Sequence, residues 1–139
     1  MVLAASRTMR IQNYQDVWEV RSAVELEAIL VKKPQSDVNE YWLSHGEEKY
    51  PAISLLVKGE IASLSYLPEG GHPGYVSAGK VPGLDLFENT QFSTTRNRAD
   101  DVSVSNQHVI PSSDAVAAAK EFLISTDLPK NVEWSKLWQ

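Results

Sequence analysis

The chain has 139 residues, a net charge of −5 with a pI near 5.1, and no cysteine. That length fits a single domain able to bury about two-thirds of the surface its unfolded form exposes, and the missing cysteines exclude thiolate zinc sites, thiol nucleophiles and iron–sulfur clusters. The acidic balance disfavours nucleic acid as a direct ligand, because such affinity comes from Lys and Arg neutralising phosphates, and it leaves a basic partner protein open.

The opening Met1-Val2-Leu3-Ala4-Ala5 lacks the basic start and apolar run of a secretory signal. No stretch approaches the roughly 18 consecutive apolar residues of a membrane span. The expectation is a soluble, cytoplasmic protein. Over residues 1–14 the pattern is thin: Met9, Ile11 and Tyr14 fit either an edge strand or a disordered start. Residues 17–20 alternate as a short first strand. Ser22 followed by Glu25 is a capping box, and Ala23, Leu26, Ile29 and Leu30 recur at the helical period, which predicts a helix over 22–32. Lys32 and Lys33 suit its negative end, and Pro34 stops it.

Residues 39–44 read as a strand, with Tyr41 and Leu43 on one face and aromatic residues raising the strand propensity. His45-Gly46-Glu47-Glu48-Lys49 is then a turn. Residues 53–57 are almost continuously apolar, and residues 61–67 alternate with the two-residue period of a strand buried on one face. Lys58-Gly59 between them marks a hairpin. Pro68-Glu69-Gly70-Gly71-His72-Pro73-Gly74 forbids regular structure, so a third strand over 75–78 folds back on the second. This meander is expected at the centre of the sheet.

Further on, Leu84, Leu86 and Phe87 look like a plug over a core edge. Residues 90–95 and 102–110 read as strands around the charged turn 96–101. Ser112, Ser113 and Asp114 are N-cap candidates for a second helix whose stripe is Ala115, Val116, Ala119, Phe122 and Leu123. Residues 132–134 form a last short strand. No repeated β-α-β period appears, so the fold class is α+β: a mainly antiparallel sheet of about five to seven strands with two helices packed against it, as one domain over 1–139.

Motifs for catalysis are missing. His45-Gly46-Glu47 matches the H-x-E half of a zinc-dependent deaminase signature, but the P-C-x-x-C half cannot exist without cysteine. A three-histidine site would need His45, His72 and His108 to converge from separate segments. Gly70, Gly71, Gly74 and Gly79 are not followed by G-K-[ST] or by a helix, so they serve turns rather than a phosphate. Asp100-Asp101 reads as a solvated turn, and no G-x-S-x-G elbow occurs. No cofactor or metal is expected. Of the four tryptophans, Trp18 and Trp134 suit the core, and Trp138, beside the C-terminus, is a candidate surface anchor.

Several runs together carry a resemblance: Tyr41-Trp42-Leu43-Ser44-His45, Tyr50-Pro51-Ala52-Ile53, Ala62-Ser63-Leu64-Ser65-Tyr66-Leu67-Pro68, Gly71-His72-Pro73-Gly74-Tyr75 and Ser77-Ala78-Gly79. With Ile110-Pro111, the helix to Phe122 and Leu128-Pro129-Lys130-Asn131-Val132-Glu133-Trp134, the chain from Val17 to Trp134 resembles immunity protein family 1 of bacterial polymorphic toxin systems. The resemblance implies a non-enzymatic cytoplasmic protein that binds and neutralises a cognate toxin domain, often a nucleic-acid deaminase or nuclease. An inhibitor needs no catalytic constellation, so that role agrees with the residues. The expected contact surface is the loop 69–75 with Asp85 and Glu88, that is Glu69, His72, Tyr75, Asp85 and Glu88 in protruding turns. The competing expectation is a ligand-binding or adaptor domain with a pocket lined by Trp42 and Tyr66.

Overall fold

The computed structural model describes residues 8–31, 39–95 and 97–137. Lys32, Lys33, Pro34, Asp37, Val38, Arg96 and Trp138 lie outside them, and with them the expected stop of the first helix and the tryptophan anchor. In chain order the elements are β1 (Met9–Gln12), β2 (Val17–Val20), α1 (Ala23–Val31), β3 (Glu40–His45), β4 (Ala52–Lys58), β5 (Ile61–Leu67), β6 (Tyr75–Ala78), β7 (Asn89–Phe92), β8 (Val102–Ser105), β9 (Ile110–Pro111), α2 (Ser112–Ile124) and β10 (Glu133–Lys136).

β4 and β5 pair along their whole length, Ala52 opposite Leu67 and Lys58 opposite Ile61. Gly59 supplies the positive φ of 63° that their tight turn needs. Around this hairpin an antiparallel sheet runs β10-β6-β5-β4-β3-β1-β2, and β9 pairs with β5 to make eight strands. The α+β class and the central meander agree with the sequence pattern, and the sheet is one strand larger than its upper estimate because β9 is only two residues long. Residues 9–12 are not an edge strand. β1 lies between β3 and β2, with Met9 facing both His45 and Val20 in register. A four-residue alternation reports which face is buried, not how many neighbours the strand has.

The two-residue period places Met9, Ile11, Tyr41, Leu43, Ile53, Leu55, Leu64 and Tyr66 in one buried core with Leu26 and Leu30 of α1 and Ala115, Ala118, Ala119 and Phe122 of α2. Alanines at the contact let α2 approach the strands closely. α1 starts as its sequence implies, with Ser22 Oγ accepting from the Glu25 amide at 3.2 Å. The reciprocal bond is shifted by one residue: Glu25 accepts from the Arg21 amide at 2.8 Å. α2 departs from expectation at its start. Pro111 occupies the N-cap position with no side-chain cap, and Ser112, Ser113 and Asp114 are already helical. The Ser112 amide donates to Glu60 O at 2.8 Å, so the β5 turn replaces the missing cap.

At the other end of α2, Phe122 packs against the His45 ring at 4.7 Å and edge-on to Tyr66 at 6.2 Å. His45 Nε2 donates to Leu123 O at 3.2 Å, and Tyr66 Oη donates to Thr126 O at 2.8 Å. Two carbonyls near the helix terminus are thus satisfied by side chains from the sheet.

The opposite face of the sheet carries a smaller core of Leu56, Phe92 and Val109, against which Ile61, Val81, Leu84 and Val104 pack. It is covered by the β7–β8 hairpin and the preceding loop. The strand expected over 102–110 is split: after β8 a 3-10 turn, Asn106–His108, intervenes before β9. Ser105 Oγ caps that turn through the Gln107 amide, and the Asn106 side chain is buried.

Phe122→Ala removes the ring that joins both buried aromatic contacts and should cost about 3–5 kcal/mol in chemical denaturation; a loss under about 1 kcal/mol would show that α2 does not depend on it. Gly74 has φ +91°, and a Cβ there would sit 2.9 Å from Tyr66 O. Gly74→Ala should therefore cost about 1–3 kcal/mol.

Candidate interaction surface

The loop between β5 and β6 holds three of the residues expected at the contact surface. Glu69 is exposed, and Glu69 O accepts from the His72 amide at 3.2 Å. His72 Nδ1 accepts from the Gly74 amide at 2.9 Å, and its ring stacks on Tyr75 at 6.0 Å. Tyr75 is half-buried and packs towards Tyr66 at 6.1 Å. Much of this loop's aromatic surface therefore meets its own domain.

Asp85 and Glu88 lie elsewhere. They share one turn, Glu88 N donating to Asp85 O at 3.1 Å. That turn is fastened to residues 106 and 107, which adjoin the far end of β6: Gly79 N donates to Gln107 O at 3.2 Å. The structure brings Glu69, His72 and Tyr75 together, and Asp85 and Glu88 together, but places the two groups towards opposite ends of β5 and β6. The sequence showed two Pro/Gly-rich loops close in number, and the strand between them separates their tips.

The plug expected of Leu84, Leu86 and Phe87 forms only in part. Leu84 does pack into the smaller core, whereas Phe87 is 92% exposed. Its amide donates to Asp85 Oδ1 at 2.8 Å, which fixes its backbone in an Asx turn instead of a continuing apolar segment. The Asp-x-Phe spacing of such a turn was the available clue.

A second surface feature is a groove of about 440 Å³ on the sheet face away from the helices. Arg10, Trp42, Lys49 and Tyr50 line it, with Tyr14 and Glu40. Trp42 and Tyr66 do not share a pocket. Trp42 lies in register with Ser54, and Tyr66 with Ile53, so the two side chains project from opposite faces of the sheet. Burial lifts the Glu40 carboxyl above the usual carboxylate range, and a hydrogen bond with Trp42 opposes this less strongly.

The three histidines take separate roles. His45 holds the end of α2, His72 shapes its own loop, and His108 Nδ1 donates to Ser77 O at 3.1 Å. Among the described residues no group of three or more His, Asp or Glu could hold a metal. Glu47 is exposed in the turn after His45, so the H-x-E triplet has its histidine and glutamate in different environments. Among the described residues, no helix is long and apolar enough to cross a membrane.

No family model matches the chain. It is similar to a double-stranded DNA deaminase immunity protein of Burkholderia cenocepacia (strain H111), with 27% identity over 124 residues, 88% of this chain and 92% of that relative. The relative's name agrees with the resemblance carried by the sequence runs.

Glu40 gives a test of the groove's electrostatics. A carboxyl whose folded pKa is raised contributes stability that is present below its unfolded pKa and lost as pH rises through the folded value. Wild-type stability should fall relative to Glu40→Gln between about pH 4 and pH 7, measured by denaturant titration across that range. A difference of the opposite sign would mean that the Trp42 bond outweighs desolvation.

Proposed function

We propose that this chain is an immunity protein: it binds one cognate toxin domain and keeps it inactive by covering its active site. The toxin is an enzyme that acts on nucleic acid, a deaminase foremost, and the complex forms in the cytoplasm. The role is binding rather than catalysis. The observation that carries this reading is the similarity to a deaminase immunity protein along nearly the full length of both chains. A likeness of that extent concerns the whole domain and not one motif.

Charge supports it. An enzyme that acts on nucleic acid holds phosphates with Lys and Arg, so its cleft is electropositive. A partner at −5 is steered towards such a cleft, and encounter is accelerated by complementary potentials. The fold supports it as well, since loops fastened by hydrogen bonds lose little conformational freedom on docking. A stable inhibitory interface would bury on the order of 1,600 Å².

The test is coexpression with the C-terminal domain of the protein encoded immediately upstream. The two proteins should copurify, and cells that die when producing the toxin domain alone should survive. Continued killing with no complex at micromolar concentrations would overturn the reading.

A further inference from the structure

Phe87 has the largest fractional exposure among the large apolar side chains of the described residues. A ring so placed normally relaxes onto its own surface, but here the backbone beneath it is held. Asp85 O accepts from Asn106 Nδ2 at 2.8 Å, Leu86 O from Gln107 Nε2 at 3.4 Å and Glu88 O from the Asn106 amide at 3.0 Å. Asn106 is 4% exposed and is itself fixed by Thr90 Oγ1, which donates to its Oδ1 at 2.5 Å. On the other side Leu84 is anchored in the smaller core. The turn is therefore a rigid mount that projects one aromatic ring.

Two exposed acidic residues, Asp85 and Glu88, bracket Phe87 in the same turn. Asp85 and Glu88 are the first and last residues of a β-turn, whose Cα atoms lie within about 7 Å of each other. From Val81 to Thr95 the chain contains no Lys or Arg, so this segment has a charge of −2. The turn thus offers a flat apolar ring and two anionic groups within one four-residue stretch.

An enzyme that modifies a base has the complementary surface. It takes the base out of the stack into a pocket that grips its flat faces with aromatic and apolar side chains, and cations near that pocket hold the neighbouring phosphates. We infer that Phe87 enters the base pocket of the partner enzyme while Asp85 and Glu88 pair with the cations that would hold those phosphates, so that the turn imitates an extruded nucleotide. This rests on the immunity reading and adds the group that performs the blocking. The groove beside Trp42 carries Arg10 and Lys49, whose charge does not suit a phosphate-binding cleft. The loop 69–75 keeps its tyrosine half-buried.

Binding of wild type, Phe87→Ala and the double variant Asp85→Asn/Glu88→Gln to the inactivated upstream-encoded toxin domain, measured by titration calorimetry, tests this. Phe87→Ala should bind about 30-fold or more weakly, as for a central aromatic anchor, and its unfolding curve should overlay that of wild type because the ring contributes to no core. The double variant, which keeps the acceptor for the Phe87 amide, should bind about tenfold more weakly, with a reduced dependence on salt. A short oligonucleotide of the kind the domain modifies should compete with wild type. Tight binding by wild type with Phe87→Ala within about twofold, or simultaneous binding of oligonucleotide and wild type, would overturn the nucleotide mimicry and leave the immunity reading standing. Failure of wild type to bind would overturn that reading, and the mimicry with it.

Discussion

The seating of Phe122 between His45 and Tyr66 is the contact on which the rest of the molecule depends. It presses α2 onto the sheet, and the two polar aromatic side chains that flank it also accommodate backbone carbonyls at the helix end. Without those donors, carbonyls near the helix terminus would be buried beside apolar rings, at a cost of about 1–3 kcal/mol each. One face of the sheet is therefore occupied by the helices. That leaves for recognition the opposite face, the loops at the strand ends and the outer sides of the helices, where Val24 and Ile124 are exposed.

On that opposite face the decisive residue is Asn106. It is a polar residue in an otherwise apolar layer, and each of its polar groups is engaged: its amide with Glu88 O, Nδ2 with Asp85 O, and Oδ1 with Thr90. Buried amides of this kind specify geometry more than they add stability, because any other arrangement leaves a donor or acceptor unmet. The consequence reaches the surface. The turn holding Phe87 inherits its position from an asparagine nearly twenty residues further along the chain, so the local sequence of the turn does not determine its rigidity.

That dependence explains which parts of the structure were legible beforehand. The central hairpin, the first helix and the stripe of α2 followed from periodicity, since each is governed by which residues its own neighbours leave for the core. Position within the sheet did not follow: Met9 and Ile11 alternate in the same way at an edge or inside, and the pairing of β1 with both β2 and β3 is a property of the assembled fold. The same holds for the interaction surface. Glu69 and Glu88 looked like neighbours because both sit in Gly/Pro-rich loops around β6, while the register sends those loops to different ends. Leu84, Leu86 and Phe87 together have the look of a plug over a core edge. The Asp85 side chain breaks that pattern by capturing the Phe87 amide.

The exposed ring also has an energetic meaning. Burying a phenylalanine contributes roughly 1.5–3 kcal/mol relative to leaving it in water. The free protein forgoes that stabilisation, and the hydrogen bonds from residues 106 and 107 hold the backbone of the turn where the ring stands exposed. A mobile loop would recover part of the energy intramolecularly and would then have to surrender it, together with the entropy of ordering, when a partner arrived. A fixed mount avoids both losses, so the full apolar transfer free energy of the ring is available on docking. On the proposal above, the carboxylates of the same turn hydrate the site in the free protein and meet the cations of the partner's cleft in the complex. On that reading rigidity from Asn106, exposure of Phe87 and charge at Asp85 and Glu88 act as one device: the first fixes where the ring stands, the second leaves it to be buried on docking, and the third selects a cationic cleft.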